Sequence, residues 1–130
     1  MEPQKQRHST FLIQYHFVWC PRRRRKVLKG AIAKRLRELI WEAAKVIECE
    51  VISVAIELDH VHLFITGTPT LAPYQIIHRI KGRTAHYLRR EFPELMKMPS
   101  MWTSSYWVST AGNVSAETIR KYIEAQGTRD

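Results

Sequence analysis

The sequence has few of the features that mark membrane-spanning, secreted and thiolate-metal proteins. Its two cysteines, Cys20 and Cys49, lie singly in apolar segments without a C-x-x-C partner, which predicts buried thiols rather than a disulfide or a zinc site. No apolar run approaches the roughly 18 residues that a membrane span requires, and no signal-peptide pattern opens the chain. We therefore expect a cytoplasmic protein with no membrane partner.

Acidic residues are also scarce relative to basic ones. The 130 residues include 21 Lys and Arg against 12 Asp and Glu, which gives a net charge of +9. This balance favours a polyanionic partner, and nucleic acid is the first expectation. The length suits one domain that buries its own core. We predict a single domain over residues 1–130, in which the polar residues 1–8 form a loose arm.

The most informative stretch runs from Ile56 to Gly67. Apolar residues alternate there with His60, His62 and Phe64, the period of two that is typical of a half-buried strand. The alternation places both imidazoles on one face, about 6.5 Å apart along the chain, where two side chains can hold one divalent metal. The pair is a candidate metal site.

A second candidate site lies near the C-terminus. Tyr122 and Gln126 stand four residues apart in a segment with helical spacing, so they share a face of that helix. Ser115 is a plausible N-cap for this helix, and Gly112 with Asn113 forms a turn or hinge before it. Tyr122 also fits an aromatic anchor of the helix on a sheet, and Gln126 an ordinary polar residue. Spacing alone leaves both roles open.

Two groups of cations are candidates for contacts with phosphates. The first group follows an aromatic strand and comprises Arg22, Arg23, Arg24, Arg25 and Lys26. The second lies on the exposed side of a predicted helix and includes Arg79, Lys81 and Arg83. A charge run is equally a solvated loop, so DNA contact at either group is a prediction that binding must test.

The succession of periodic segments predicts the fold. In order, we expect a strand over 11–19, a helix over 31–48, a strand over 51–58, the histidine strand, a helix over 74–92, one or two short strands within 101–110, and the last helix. In the 51–58 strand the alternation places Ile52 and Leu58 on one face with Val54 and Ile56. This order fits an α+β, ferredoxin-like antiparallel sheet with two helices on one face. The histidines would then lie on the open face.

Several of these segments together resemble a known family. They are the Tyr15–Trp19 strand and the basic segment that follows it, the sequence from Leu58 to Leu63, Lys81 with Gly82, the Trp102–Tyr106 region, and the terminal residues 121–126. Over about Phe11 to Gly127 the chain resembles the single-tyrosine HUH transposases, or TnpA type, of small bacterial and archaeal insertion sequences. The His-x-His pair is unspecific alone, but its combination with a late Tyr-x-x-x-Gln is characteristic.

The resemblance implies a function and a site. It implies a homodimer, with active sites shared in trans, that cuts and rejoins single-stranded DNA at hairpin-bearing element ends. It further implies that Tyr122 is the nucleophile and forms a 5′-phosphotyrosine. The same resemblance implies that His60, His62 and Gln126 hold a Mg²⁺ or Mn²⁺ ion.

Two other readings of the sequence differ in class. A domesticated or non-catalytic relative that binds hairpin DNA as a regulator would need the basic surface but neither the tyrosine nor the metal ligands. An RNA-binding ferredoxin-like module would stack bases on sheet aromatics and would have no use for paired histidines. The presence of Tyr122 with His60, His62 and Gln126 favours the enzyme.

Overall fold

The computed structural model of the chain describes residues 4–6, 9–110 and 121–125. Its strands, in chain order, are β1 (Gln4–Gln6), β2 (Ser9–Phe11), β3 (Gln14–Trp19), β4 (Val51–Glu57), β5 (His60–Thr66) and β6 (Trp107–Thr110), and its long helices are α1 (Gly30–Val46) and α2 (Pro73–Glu91). Residues 121–125 are also helical. The predicted hinge at Gly112 and Asn113, the N-cap Ser115 and the ligand Gln126 lie outside the described residues.

The main sheet has the strand order β4-β5-β3-β6, and every neighbouring pair is antiparallel. A turn at Leu58 and Asp59 joins β4 to β5 as the predicted hairpin. The first strand of this sheet along the chain, β3, is central and pairs with both β5 and β6. This is the ferredoxin-like arrangement, and the predicted α+β fold is confirmed.

One face of the sheet packs against α1 and α2. On β5, Val61, Leu63 and Ile65 are fully buried, as their alternation predicted. They share the core with Phe17 and with buried helix residues that include Leu36, Leu39, Ile40, Ile76 and Ile80. Each such side chain gains roughly 2 kcal/mol from burial. The burial also fixes the register of β5, because a slip of one residue would turn both histidines into the core.

The N-terminal segment differs from the expectation. The loose arm predicted for residues 1–8 is wrong for Gln4–Gln6, which pairs antiparallel with Ser9–Phe11. The single strand expected over 11–19 is divided at Leu12 and Ile13. Backbone pairing requires no apolar side chains, so a polar segment can form an edge strand that hydrophobic periodicity does not reveal.

The strand β4 also departs from the simple alternation. The register shifts between Val51 and Ser53, as at a β-bulge, and Val51 is buried in place of Ile52. Ile52 is 45 % exposed, whereas Val54 is half-buried. The prediction that these two residues share one face of the strand is therefore wrong. A bulge inserts one extra residue in one strand, so the residues before it point to the opposite face of the sheet from the one that simple alternation predicts. Leu58, expected on that face, is exposed in the turn.

Residues 101–110, where one or two short strands were predicted, contain one strand, β6. Trp102 makes a single bridge with Pro21, and regular pairing begins at Trp107. The indole N–H of Trp102 donates to the Thr84 hydroxyl at 3.1 Å, so this buried ring is satisfied without a ladder. Cys20 and Cys49 are free and buried, as predicted. Within the described ranges, no helix is long and apolar enough to cross a membrane.

Gly82 supplies a prediction about stability. It lies exposed within α2, and an added Cβ would meet nothing within 4 Å beyond its chain neighbours and the backbone of its own helix. Glycine in a helix interior costs about 1 kcal/mol relative to alanine, so Gly82→Ala should raise the free energy of unfolding by about 1 kcal/mol. Urea denaturation monitored by circular dichroism measures the change. A loss of stability would show that the backbone at this position needs glycine.

Candidate functional site: a histidine pair beside the tyrosine helix

The two histidines of β5 lie on the open face of the sheet, as the alternation predicted. The His60 and His62 rings are nearly perpendicular, with centroids 5.0 Å apart. His62 pairs across the sheet with Ala55 of β4 and Val18 of β3. Both side chains are half-buried, so the pair is partly exposed to solvent and does not lie in the core.

His16 is a neighbour of this pair that the sequence reasoning missed. Its Nε2 lies 3.1 Å from Nδ1 of His62, and its ring stacks on Phe64 at 4.1 Å between centroids. Burial, followed by the nearby charge of His62, lowers the pKa of His16 to about 4. The register pairs His16 with Phe64, diagonal to His62. A ferredoxin-like strand order could have suggested this contact, because β3 and β5 are neighbours in it.

His60 is held by the residue that precedes it. Its Nδ1 lies 2.8 Å from Oδ1 of Asp59, and Oδ2 of the same carboxylate lies 3.2 Å from Nε of Arg24. A histidine bonded to a carboxylate through Nδ1 presents Nε2 as its remaining nitrogen. Asp59 therefore serves both the turn that joins β4 to β5 and the orientation of His60.

These contacts fit a metal site built on two imidazoles. Both Nδ1 atoms are engaged. His60 has a carboxylate partner, the support that metal-binding histidines usually have, and His62 has an imidazole partner. Burial, together with the charge of His60, lowers the pKa of His62 against the weaker effect of Glu57, and a neutral ring is the form that binds a metal. No group of three or more His, Cys, Asp or Glu side chains with metal-binding geometry occurs among the residues described.

Tyr122 lies on the helical residues 121–125, which contact two segments of their own chain. The phenolic oxygen of Tyr122 is 3.5 Å from the Ser105 hydroxyl, and Nη1 of Arg24 donates to the Ile123 carbonyl at 3.3 Å. Lys81 holds the Ser105 segment, because its Nζ donates to the carbonyls of Thr103 at 2.7 Å and Ser105 at 3.0 Å. The tyrosine helix therefore packs between the turn after β3 and the segment before β6.

The first cationic group divides into two sets. Arg23, Arg25 and Lys26 are exposed. Arg22 donates from Nη1 to the Ser100 hydroxyl at 3.2 Å, while Arg24 binds Asp59 and Ile123. Contact of this group with DNA stays a prediction, and the exposed set is the part best placed to meet phosphates.

The second cationic group is not one face of α2. Arg79 and Arg83 border a small cavity with Ala43 and Val46 on α1, and the Arg83 guanidinium lies 5.1 Å from the centre of the Tyr87 ring. Lys81 points elsewhere because positions 79 and 81 are about 200° apart on a helix. Arg79 is exposed, whereas Lys81 and Arg83 are half-buried. Their contact with DNA stays a prediction.

Comparison with known proteins places this chain in a family. A family model described as "Transposase IS200 like" matches residues 9–126. The ISDra2 transposase TnpA of Deinococcus radiodurans is 30 % identical over 133 residues, which cover 100 % of this chain and 95 % of that protein.

Two solved structures are similar to this one. A protein of Deinococcus radiodurans R1 described as a transposase has a TM-score of 0.87 at 28 % identity, covering 95 % of this chain and 97 % of that one. A REP-associated tyrosine transposase, solved with a REP hairpin, has a TM-score of 0.60 at 16 % identity, covering 93 % of this chain and 68 % of that one. The similarity to the second structure supports the assignment of the fold.

Proposed function

We propose that this chain, which belongs to the IS200-like transposase family, cuts and rejoins single-stranded DNA through a covalent bond to Tyr122. Family membership makes it a transposase, an enzyme that acts on DNA. One observation carries the finer proposal. Arg24 contacts both the Ile123 carbonyl and Asp59, and Asp59 contacts His60, so two side chains link the tyrosine helix to the histidine pair.

In the proposed reaction the phenolic oxygen of Tyr122 attacks a phosphorus of the DNA backbone. An O–P bond forms to tyrosine and the bond from phosphorus to the 3′-oxygen breaks; the phenol loses its proton, and the leaving oxygen gains one to become a 3′-OH. The downstream strand stays attached as a 5′-phosphotyrosine. Because this linkage is still a phosphodiester, another 3′-OH can attack it in reverse and rejoin strands without a high-energy cofactor.

His60, His62 and Gln126 would hold a Mg²⁺ or Mn²⁺ ion. When bound, the ion withdraws electron density from the phosphate oxygens and makes phosphorus easier to attack. The protein supplies two oriented rings. His60 is held through Asp59, and His62 donates from Nδ1 to Nε2 of His16 when its own Nε2 is a ligand. Phenols ordinarily titrate near pH 10, so placement beside the phosphate has to favour attack at neutral pH.

The proposed substrate is a single strand whose ends carry a hairpin. The net charge of +9 supports a nucleic-acid partner, and a transposase of the same fold was solved with a REP hairpin. The exposed Arg23, Arg25 and Lys26 follow β3 and flank Arg24, which contacts Asp59 beside His60. Contacts of this kind fix where the backbone lies and do not read bases.

Salt dependence tests the role of the exposed cations. Replacing Arg23, Arg25 and Lys26 together by alanine should reduce the slope of log K against log salt by about two units, since each phosphate contact with a single strand contributes about 0.7. Fluorescence anisotropy with a labelled hairpin measures the slope. The control replaces the exposed Lys34, Lys45 and Lys97, which removes the same charge elsewhere. Equal slopes for the two triple variants would contradict a local contact.

A covalent adduct tests the proposed reaction. The protein is incubated with a hairpin-bearing single strand and Mn²⁺, then denatured and separated by electrophoresis. A label at the 3′ end should migrate with the protein, because tyrosine keeps the downstream fragment, whereas a 5′ label should leave with the released fragment. A protein that binds the hairpin tightly but forms no adduct would be the non-catalytic regulator instead.

The proposal includes a homodimer, which the family resemblance supports. The resemblance also predicts active sites shared in trans, whereas the contacts that carry the proposal above lie within one chain. In the single chain, residues 121–125 contact Arg24 and Ser105 of the same chain, which is the cis arrangement. Sedimentation of the purified protein measures the assembly, and a monomer that forms the adduct would contradict sharing in trans.

A further inference from the structure

The pair formed by Arg24 and Asp59 joins the two halves of the candidate site. The Arg24 guanidinium lies 3.2 Å from one Asp59 oxygen through Nε and donates to the Ile123 carbonyl at 3.3 Å through Nη1. The other Asp59 oxygen lies 2.8 Å from Nδ1 of His60. One guanidinium and one carboxylate thus connect the residue after Tyr122 to a proposed metal ligand.

The backbone around Arg24 is held in a costly conformation. Arg23 and Arg24 have φ angles of 56° and 54°, in the left-handed region that residues with a Cβ seldom adopt. The turn is kept in place by the Arg24 N–H, which donates to the Pro21 carbonyl at 2.8 Å, and by the Arg22 N–H, which donates to Met101 at 3.0 Å. Such strain persists where the surroundings over-determine the backbone, and it clusters at functional sites.

The pair is not placed to add much stability. The Arg24 and Asp59 side chains are 31 % and 18 % exposed, and ion pairs open to solvent contribute little to folding. Their geometry is better suited to orientation. A carboxylate that accepts from Nδ1 fixes the ring and the tautomer of a histidine ligand. A guanidinium that donates to a helix carbonyl fixes where that helix lies.

We infer that Arg24 and Asp59 are positioning residues that hold the Tyr122 helix against the end of β5 and aim Nε2 of His60. This inference rests on the proposed function of Tyr122 and His60. It separates Arg24 from its exposed neighbours: Arg23 and Arg25 are predicted DNA contacts, whereas Arg24 serves the geometry of the site.

Substitutions of the two residues should have different effects, on metal affinity for Asp59 and on the cleavage rate for Arg24. Asp59→Ala removes the acceptor for His60, so the affinity for Mn²⁺ in the absence of DNA should fall by about 10- to 100-fold, the range typical of support to a metal ligand. Asp59→Asn keeps an oxygen acceptor and should lose less. Arg24→Gln should leave Mn²⁺ affinity and hairpin affinity nearly unchanged but reduce kcat for cleavage, with KM unaltered, and Arg24→Lys should recover part of the rate.

The experiment combines Mn²⁺ titration by calorimetry, hydrogen exchange of residues 121–125 without DNA, and cleavage kinetics. Faster exchange of that helix in Arg24→Gln is expected. The control is Arg35→Gln, which breaks a paired contact with Glu91 between α1 and α2, at 2.8 and 3.2 Å, that touches neither half of the site. It should change none of the three measurements.

Two outcomes would overturn the inference. One is an Asp59→Ala protein that binds Mn²⁺ as tightly as the parent. The other is an Arg24→Gln protein whose kcat and helix exchange are unchanged while hairpin binding weakens, which would make Arg24 a phosphate contact. Titration and exchange use no DNA, so the inference can fail or stand independently of whether the parent protein forms the covalent adduct.

Discussion

Tyr122→Phe should abolish the covalent protein–DNA adduct and reduce strand cleavage by on the order of 10³-fold or more, as loss of a nucleophile does in other enzymes. The change removes the hydroxyl that would attack phosphorus and keeps the aromatic ring. The change also removes the contact of that oxygen with the Ser105 hydroxyl at 3.5 Å. Cleavage of a labelled hairpin strand and the denaturant-resistant band are the two measurements.

The control for this variant is Tyr74→Phe. Tyr74 lies on α2 with 62 % of its surface exposed, and its hydroxyl is removed by the same change. The Tyr74→Phe protein should form the adduct as the parent does. Hairpin binding should be retained by both variants. A Tyr122→Phe protein that still forms the adduct would show that another residue is the nucleophile.

His62→Ala should reduce Mn²⁺-dependent cleavage by more than about 100-fold, because even the supporting partners of metal ligands are worth 10- to 100-fold. His62 has neighbours on both sides, with the His60 ring at 5.0 Å and Nε2 of His16 at 3.1 Å from its Nδ1. Its loss leaves one imidazole to hold the ion. Cleavage rates across a Mn²⁺ titration measure the effect.

Hairpin affinity separates this role from a structural one. Because phosphate contacts dominate affinity, His62→Ala should bind the hairpin within about threefold of the parent in the absence of metal. The matched control is His86→Ala, an exposed histidine on α2 that lies 3.4 Å from Arg90. It should retain cleavage. Parallel losses of binding and cleavage in His62→Ala would contradict a metal-ligand role.

The side-chain period predicted the part of the site that one strand determines. Because β5 is buried on one face, the alternation fixed Val61 in the core and His60 with His62 on the open side. The same reasoning failed for Ile52, because a bulge in β4 changes the face of the sheet to which this residue points. The pattern of apolar residues does not reveal such a bulge.

The side-chain period of single segments does not predict contacts between distant segments. His16 precedes His62 by 46 residues, and only the pairing of β3 with β5 brings the two rings together. Both cationic groups are visible in the sequence only as charges, yet Arg24 of the first contacts Asp59 and Ile123, and Lys81 of the second donates to two carbonyls. A sequence shows how many charges a segment carries, whereas the tertiary structure determines which ones meet internal partners.

The most direct test of the account is to identify the residue that carries the DNA. After reaction with a hairpin-bearing single strand and Mn²⁺, nuclease and trypsin would leave a short nucleotide remnant on one peptide. Cleavage after Lys121 and Arg129 gives the peptide of residues 122–129, whose one tyrosine is Tyr122. We expect mass spectrometry to find the remnant on Tyr122, linked through its 5′-phosphate. A remnant on another residue, or a 3′-phosphate linkage, would contradict the account.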